Sequence, residues 1–141
     1  MTTMTTQSRV AHDAVALRTL VVGQIELQGD GAVAVIELVD PDGELPEAEP
    51  GAHVDVLLPN GLERQYSLAG GRPGRWRLGV LREPESRGGS SWIHENLRAG
   101  DLLQVRGPRN NFPLVAAPRY VFVAGGIGIT PLLPMIREVA A

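Results

Sequence analysis

Residues 17–107 alternate short, partly apolar segments with turns rich in Gly and Pro, at intervals of about ten residues. Within each segment apolar and polar positions alternate, as expected for strands that bury one face. The six predicted strands are Leu17–Leu27, Gly31–Val39, His53–Leu58, Glu63–Ala69, Trp76–Arg82 and Leu102–Gly107. Short strands at this spacing predict an all-β fold, a six-stranded antiparallel barrel over residues 10–115.

One short helix is predicted within the barrel region. Ser90 or Ser91 can cap its first turn, and the helix continues through Leu97 with Gly100 just beyond its end. Helix content in the rest of the barrel is expected to be low.

The chain begins with a polar segment. Met1–Gln7 is Thr-rich and lacks the apolar core of a secretory signal. We therefore expect residues 1–9 to form a disordered tail and the protein to be cytoplasmic.

The pattern changes near the end of the chain. Tyr120–Ala124 is a continuous apolar run, typical of a strand buried on both faces of a parallel sheet. After a glycine-rich loop, Thr130 suits the N-cap and Pro131 the first position of a helix through Val139. Residues 116–141 therefore predict the first strand and helix of an α/β domain.

The glycine-rich loop Gly125–Thr130 is ambiguous on its own. Pro131 replaces the third glycine of the dinucleotide-binding fingerprint, so the loop fits either a phosphate-binding turn or an ordinary tight turn. The uncharged stretch Tyr120–Ile136 approaches the length of a membrane span, but its glycines and prolines favour a strand, a turn and a helix. No membrane partner is predicted.

The composition excludes several kinds of chemistry. The chain has no Cys, which excludes disulfides, thiolate nucleophiles and a cysteine-held 2Fe–2S cluster. All 13 basic residues are Arg, so an anion must be bound by guanidinium or backbone N–H groups. His12, His53 and His94 lack the spacing of metal ligands, and no metal site is predicted.

Charge is unevenly distributed along the sequence. Residues 1–63 carry two Arg and eleven acidic residues, whereas residues 64–141 carry eleven Arg and five acidic residues. Both uneven surface solvation and a local field that attracts an anion fit this distribution. Because no basic run with interleaved aromatic residues is present, a nucleic-acid partner is not predicted.

Two motifs are candidates for a binding site. Arg64-Gln65-Tyr66-Ser67 lies on one predicted strand, where Arg64 and Tyr66 share a face. Arg87-Gly88-Gly89-Ser90-Ser91 opens the predicted helix, where free N–H groups and the helix dipole can receive a phosphate. Taken separately, the motifs also fit a core tyrosine beside a surface arginine, and a Gly-rich turn with a serine cap.

Together and in this order, the motifs resemble the flavin domain of the ferredoxin–NADP reductase superfamily. The branch that fits is that of phthalate dioxygenase reductase and the vanillate demethylase reductases, over about residues 15–141. The matching segments are Arg64-Gln65-Tyr66-Ser67-Leu68, Leu78–Ser91, Gly100-Asp101, Pro108–Leu114 and Gly125–Pro131. The resemblance implies a Greek-key flavin barrel, then a nicotinamide-binding α/β domain and a plant-type ferredoxin domain.

The resemblance also implies roles for individual residues. Arg64 matches the arginine on the flavin phosphate and Tyr66 the aromatic residue packed on the isoalloxazine. Ser67, near the reactive N5, and Thr130, at the flavin–nicotinamide junction, match the catalytic positions. The full set of implied cofactor-binding residues is Arg64, Gln65, Tyr66, Ser67, Val80, Leu81, Arg82, Gly88, Gly89, Ser90, Ser91 and Thr130.

Two groups in this set act through the backbone in the family. Val80, Leu81 and Arg82 match the strand whose backbone reaches the pyrimidine edge of the flavin. Gly88–Ser91 matches the phosphate loop. FMN is favoured over FAD because the sequence has no evident aromatic-bearing insert for an adenine.

The resemblance predicts the FMN-binding electron-transfer domain of an NADH-dependent reductase. In the family this reductase serves a Rieske-type aromatic-ring oxygenase or demethylase, so an oxygenase component or a ferredoxin is the expected partner. The sequence departs from the family because most of the nicotinamide domain and the cysteine-bearing 2Fe–2S domain are missing. We therefore expect a front fragment that does not turn over alone. The alternative is a degenerate barrel without cofactor that serves as an interaction module.

Overall fold

The computed structural model describes residues 17–141. The disordered tail predicted over residues 1–9, His12 and the predicted start of the barrel at residue 10 lie outside the described residues.

The described chain consists mainly of short strands, as the alternating pattern predicts. The strands are β1 Leu17–Gln28, β2 Val33–Val39, β3 His53–Leu57, β4 Glu63–Ser67, β5 Arg75–Leu81 and β6 Leu102–Arg109. The helices are α1 Gly89–Asn96, a short 3₁₀ helix Gly126–Ile129 and α2 Leu132–Ala140. All six strand predictions are therefore confirmed, with ends that differ by only a few residues.

The six strands form one antiparallel sheet in the order β4-β3-β6-β1-β2-β5. Just beyond β4, Leu68 forms a bridge with Leu78 of β5, and the Ala69 N–H donates to the Arg77 carbonyl at 2.8 Å. This contact brings the two outer strands together at one point. Since β6 returns to lie beside β3, strands β3 to β6 form a Greek key.

The core lies inside this curved sheet and is formed by alternate residues of the strands. Burial alternates along β2 and β5, with every second side chain removed from solvent. The largest fully buried side chains are Leu20, Val22, Ile36, Leu38, Val54, Val56, Leu78, Val80 and Val105. Trp76 extends this core, and its indole N–H donates to the Pro46 carbonyl at 2.9 Å, which fixes the loop before β3.

The predicted strand Tyr120–Ala124 is not formed. These residues have no strand partner within residues 17–141, and Val121 and Val123 are 88% and 86% exposed. A parallel strand is stable only when neighbouring strands satisfy its backbone and cover its side chains, and no described residue does either. The helix predicted after it is present as α2.

The start of α2 also differs from the prediction. Pro131, rather than Thr130, occupies the N-cap, and no side chain caps the helix. The Thr130 hydroxyl instead donates to the Ile127 carbonyl at 3.1 Å and closes the 3₁₀ turn. No helix among residues 17–141 is long and apolar enough to cross a membrane.

Candidate functional site

A cleft opens where β4 and β5 separate. The two strands meet at Leu68 and Leu78, and moving away from this bridge they diverge. Since the Arg77 carbonyl points toward β4, the alternation of an antiparallel strand points the backbone of Gly79 and Leu81 the same way. Their backbone N–H and C=O groups therefore face the cleft.

The cleft has a volume of about 670 Å³. Its lining residues come from β4, β5, the loop before α1, the start of α1 and the 3₁₀ turn before α2. They are Arg64, Gln65, Tyr66, Ser67, Gly79, Leu81, Glu83, Glu85, Ser86, Arg87, Ser90, Ile127, Gly128, Thr130 and Pro131. The antiparallel register defines two ends. The aromatic end contains Tyr66, Ser67, Gly79, Ile127 and Thr130, and the basic end contains Arg64, Ser86, Arg87 and Ser90.

The basic end brings Arg64 against the start of α1. A Cβ placed on Gly89 would lie 2.7 Å from Arg64 Nε and 2.9 Å from its Cγ, so the guanidinium stem occupies the space that a side chain at 89 would fill. Gly88 is the N-cap and has φ 98°, a conformation that favours glycine. Arg64 and the unpaired N–H groups of a helix start thus converge, which is an arrangement suited to an anion.

Serine hydroxyls organise the loop at this end, although not as predicted. Neither Ser90 nor Ser91 caps α1; Ser86 Oγ accepts from the N–H groups of Gly88 and Ser91, both at 3.2 Å. Ser90 Oγ accepts from the Glu83 N–H at 3.1 Å. In the usual motif the capping side chain belongs to the N-cap residue, directly before the first turn. Ser86 lies two residues before the N-cap, so the usual sequence signal does not identify it.

Tyr66 dominates the aromatic end. Burial raises the pKa of its phenol above the ordinary value; the positive charge of Arg64 opposes this shift, and the Glu83 carboxylate adds to it. The phenol therefore remains protonated and uncharged across the physiological range, and its ring offers a flat, partly buried surface to the cleft.

The 3₁₀ turn closes the aromatic end from the other side. A Cβ on Gly79 would lie 3.1 Å from Thr130 Cγ2 and 3.3 Å from Ile127 Cδ1. Both side chains therefore lie directly over β5 because Gly79 has no side chain. A glycine in a strand interior often marks such a close approach, so this residue could have been found from the sequence.

The structure brings together seven of the twelve residues implied as cofactor-binding. Those lining the cleft are Arg64, Gln65, Tyr66, Ser67, Leu81, Ser90 and Thr130. Gly88, Gly89 and Ser91 form the start of α1 behind this lining.

Two of the twelve have side chains engaged elsewhere. Val80 is fully buried in the core, and its carbonyl accepts from His94 Nε2 at 2.8 Å. Arg82 forms an ion pair with Glu95 at 2.6 Å on the protein surface. The backbone groups of both residues also point away from the cleft, since they alternate with those of Gly79 and Leu81; the Arg82 N–H donates to the Ala32 carbonyl at 2.7 Å.

Several lining residues were missed by the sequence analysis. Gly79, Glu83, Glu85 and Ser86 were not singled out, and Arg87, Ile127, Gly128 and Pro131 were noted only as parts of their motifs. Two carboxylates beside two arginines make the cleft less positive than the arginines alone suggest. In the described part of the chain, no group of three or more His, Asp or Glu side chains could hold a metal ion.

The barrel, the strand that carries Arg64 and Tyr66 and the helix α1 facing it match the fold of the flavin-binding domain of ferredoxin reductase-like proteins. No family model matches the chain. Among curated proteins, it is 54% identical over 110 residues to the vanillate O-demethylase oxidoreductase of Pseudomonas sp. (strain HR199 / DSM 7063), covering 75% of this chain and 35% of the relative. It is 52% identical over 100 residues to phenoxybenzoate dioxygenase subunit beta of Ectopseudomonas oleovorans, covering 69% and 31%.

Solved structures agree with these relatives. Phthalate dioxygenase reductase, described as a modular structure for electron transfer from pyridine nucleotides to 2Fe–2S, matches with a TM-score of 0.83 and 38% identity over 89% of this chain and 40% of that one. The flavohem-like FAD/NAD-binding domain of nitric oxide dioxygenase from Vibrio cholerae O1 biovar El Tor matches with a TM-score of 0.76 and 27% identity, over 87% and 56%.

In sequence and in fold the chain matches the ferredoxin reductase-like flavin-binding domain of the phthalate dioxygenase reductase family. It spans about a third of the length of the curated relatives that it matches.

Proposed function

We propose that the cleft binds FMN, with the phosphate at the basic end and the isoalloxazine at the aromatic end. The observation that carries this proposal is the position of Arg64. It lies on β4, the strand that also carries Tyr66, and its side chain lies against Gly89 at the start of α1. A guanidinium and free helix N–H groups suit a phosphate, and a partly buried phenol suits a flat aromatic ring.

The residues that line the cleft support FMN as the flavin. Among the lining residues that the structure describes, Tyr66 is the only aromatic one, so the adenine of FAD would find no second ring to stack on. This observation supports FMN over FAD.

Four residues of the cleft then have a definite task. Arg64 binds the phosphate as a charge-assisted donor, and Tyr66 excludes water from one face of the ring. Ser67 and Thr130 lie at the aromatic end. The Ser67 hydroxyl can donate to a polar atom of a ring, whereas the Thr130 hydroxyl, which donates to the Ile127 carbonyl, can accept from a ring N–H. When bound, the flavin supplies the hydride-accepting and single-electron chemistry.

The function of the whole protein is a further part of the proposal. We infer an oxidoreductase, the NADH-dependent reductase component of a Rieske-type aromatic-ring oxygenase or demethylase, with an oxygenase component or a ferredoxin as electron acceptor. The names of the relatives support this, because they are reductases and subunits of demethylase and dioxygenase systems. In the same scheme residues 10–115 form the flavin domain and residues 116–141 begin the nicotinamide domain.

The proposal is tested by purifying the chain and identifying what it binds. We expect a yellow protein whose cofactor, released by heat, has the mass of FMN. After photoreduction, mixing with an oxidised plant-type ferredoxin should return the flavin band as the ferredoxin is reduced. A colourless protein that does not bind added FMN would instead support the interaction module.

A further inference from the structure

Helix α2 lies outside the cleft but contacts the barrel at two glycines. A Cβ on Gly51 would lie 2.8 Å from Met135 Cε, and a Cβ on Gly70 would lie 2.5 Å from Arg137 Nη1. At Gly51 the missing side chain leaves room for the Phe112 carbonyl, whose oxygen would lie 1.9 Å from that Cβ, as well as for Met135. At Gly70 it leaves room for the end of the Arg137 side chain. Helix α2 therefore contacts the barrel at two glycines.

A third glycine extends this arrangement into the cleft. Ile127 and Thr130, in the turn that leads into α2, rest on Gly79. Gly51, Gly70 and Gly79 thus form a docking line along which α2 and its preceding turn lie on the barrel. Ile127 and Thr130 line the cleft, whereas Met135 and Arg137 do not.

Leu132 and Met135 are the two buried residues of α2, and neither is part of the barrel core cluster. Met135 is 3% exposed and contacts the barrel at Gly51, so docking of α2 contributes to its burial. Beside it a cavity of about 490 Å³ separates part of α2 from the barrel loops and is lined by Pro134, Arg137 and Glu138. With open space on one side, docking depends on few contacts and is sensitive to the loss of one of them.

We propose that Met135 and Arg137 are positioning residues, which hold Ile127 and Thr130 over Gly79 and so set how far the aromatic end of the cleft is closed. The effect on flavin binding rests on the proposed function, whereas the docking of α2 on the barrel does not. Neither residue touches the cleft, so both act through the turn that connects α2 to it.

The docking is tested first without flavin, by hydrogen exchange in the full chain. Met135→Ala should speed exchange in residues 125–134 at least fivefold while the amides of β1 to β6 keep their wild-type rates. Ile136→Ala is the matched control because Ile136, the next residue on α2, is 37% exposed and should leave exchange unchanged. Equal exchange in Met135→Ala and wild type would overturn the proposal.

The effect on the cleft is tested with FMN and riboflavin. If Met135→Ala leaves about a tenth of the molecules docked, and undocked molecules bind flavin more weakly and with the ring more exposed, the apparent affinity for both ligands falls by up to about tenfold and by the same factor. Iodide should also quench the bound flavin more efficiently. Arg137→Ala should also lower flavin affinity and increase iodide quenching, whereas Ile136→Ala should change neither.

The outcomes separate the two proposals. A wild-type chain that binds neither flavin contradicts the proposed function, and the exchange measurement still decides whether Met135 holds the turn. A wild-type chain that binds flavin, with affinity and iodide quenching unchanged in Met135→Ala, contradicts the positioning role alone.

Discussion

The two ends of the cleft are built from different parts of the molecule. The basic end is formed within the barrel, by Arg64 on β4 and by the loop and helix that follow β5. The aromatic end is shared, because Tyr66 and Gly79 belong to the barrel while Ile127 and Thr130 belong to the segment before α2. A phosphate contact should therefore survive changes in docking of α2, whereas closure over the ring should not.

The largest expected effect is at Gly89. In Gly89→Val, the new side chain takes the space of the Arg64 stem, so the guanidinium moves and the N–H groups of α1 are covered. FMN affinity should fall by at least about a hundredfold, equivalent to about 2.8 kcal/mol. Fluorescence titration measures this loss.

Gly43→Val provides the matched control for this substitution. Nothing lies within 4 Å of a Cβ at Gly43, and the control should bind FMN as wild type does. The melting temperature of the apo form should stay within about 5 °C of wild type in both variants. A large loss of apo stability in Gly89→Val with FMN retained would mean that Gly89 serves only the turn.

Arg64→Ala should have the next largest effect and should distinguish the role of the basic end of the cleft from that of the aromatic end. A hydrogen bond to a charged group is worth about 1.5–3 kcal/mol, so FMN should bind roughly ten to over a hundred times more weakly. Riboflavin, which lacks the phosphate, should bind almost as before. Calorimetric titration of both ligands makes this comparison.

Arg82→Ala is the natural contrast, because Arg82 is near in sequence but its side chain pairs with Glu95 on the surface. Its FMN affinity should change by less than about threefold, since an exposed ion pair contributes little. Equal losses for FMN and riboflavin in Arg64→Ala would place Arg64 in the fold or at the ring instead of the phosphate.

The smallest expected effect is a pH dependence at the aromatic end. Because burial raises the pKa of Tyr66, the folded state holds the phenol proton more tightly than the unfolded state. The resulting stability is fully present below the ordinary tyrosine pKa of about 10 and is lost as pH rises through the folded pKa. The free energy of unfolding should be insensitive to Tyr66 from pH 7 to 9 and should fall above about pH 10.

Urea denaturation of Tyr66→Phe at pH 9, 10 and 11 isolates this contribution. The alkaline fall should be shallower in Tyr66→Phe, and Tyr120→Phe, which removes the other tyrosine, should retain it. An identical fall in Tyr66→Phe and wild type would mean that Tyr66 is not the group responsible.

The barrel, which forms the basic end of the cleft, was largely predictable from the sequence. Alternation located all six strands. Its period also distinguishes neighbouring residues of β5, because Gly79 and Leu81 line the cleft while the side chain of Val80 between them lies in the core. The positions of Glu83, Glu85 and Ser86 depend on the path of a loop, which no periodic pattern encodes.

The aromatic end of the cleft was less predictable because it depends on contacts between residues that are far apart in the sequence. The apolar run Tyr120–Ala124 has the composition of a buried strand, but strand formation requires a partner, and residues 17–141 provide none. The seating of Met135 on Gly51 joins positions 84 residues apart. The hydrophobic pattern of the sequence predicts that α2 has an apolar face, but it does not predict which glycine that face contacts.

The central claim is that one end of the cleft recognises a phosphate and the other a flavin ring, and titration of wild-type protein with FMN, riboflavin and FAD tests it most directly. The account predicts that FMN binds at least about ten times more tightly than riboflavin, which is the contribution of a charged hydrogen bond of about 1.4 kcal/mol or more, and that FAD binds no more tightly than FMN. Riboflavin binding as tightly as FMN would contradict the basic end as a phosphate site, and tighter binding of FAD would contradict the choice of FMN.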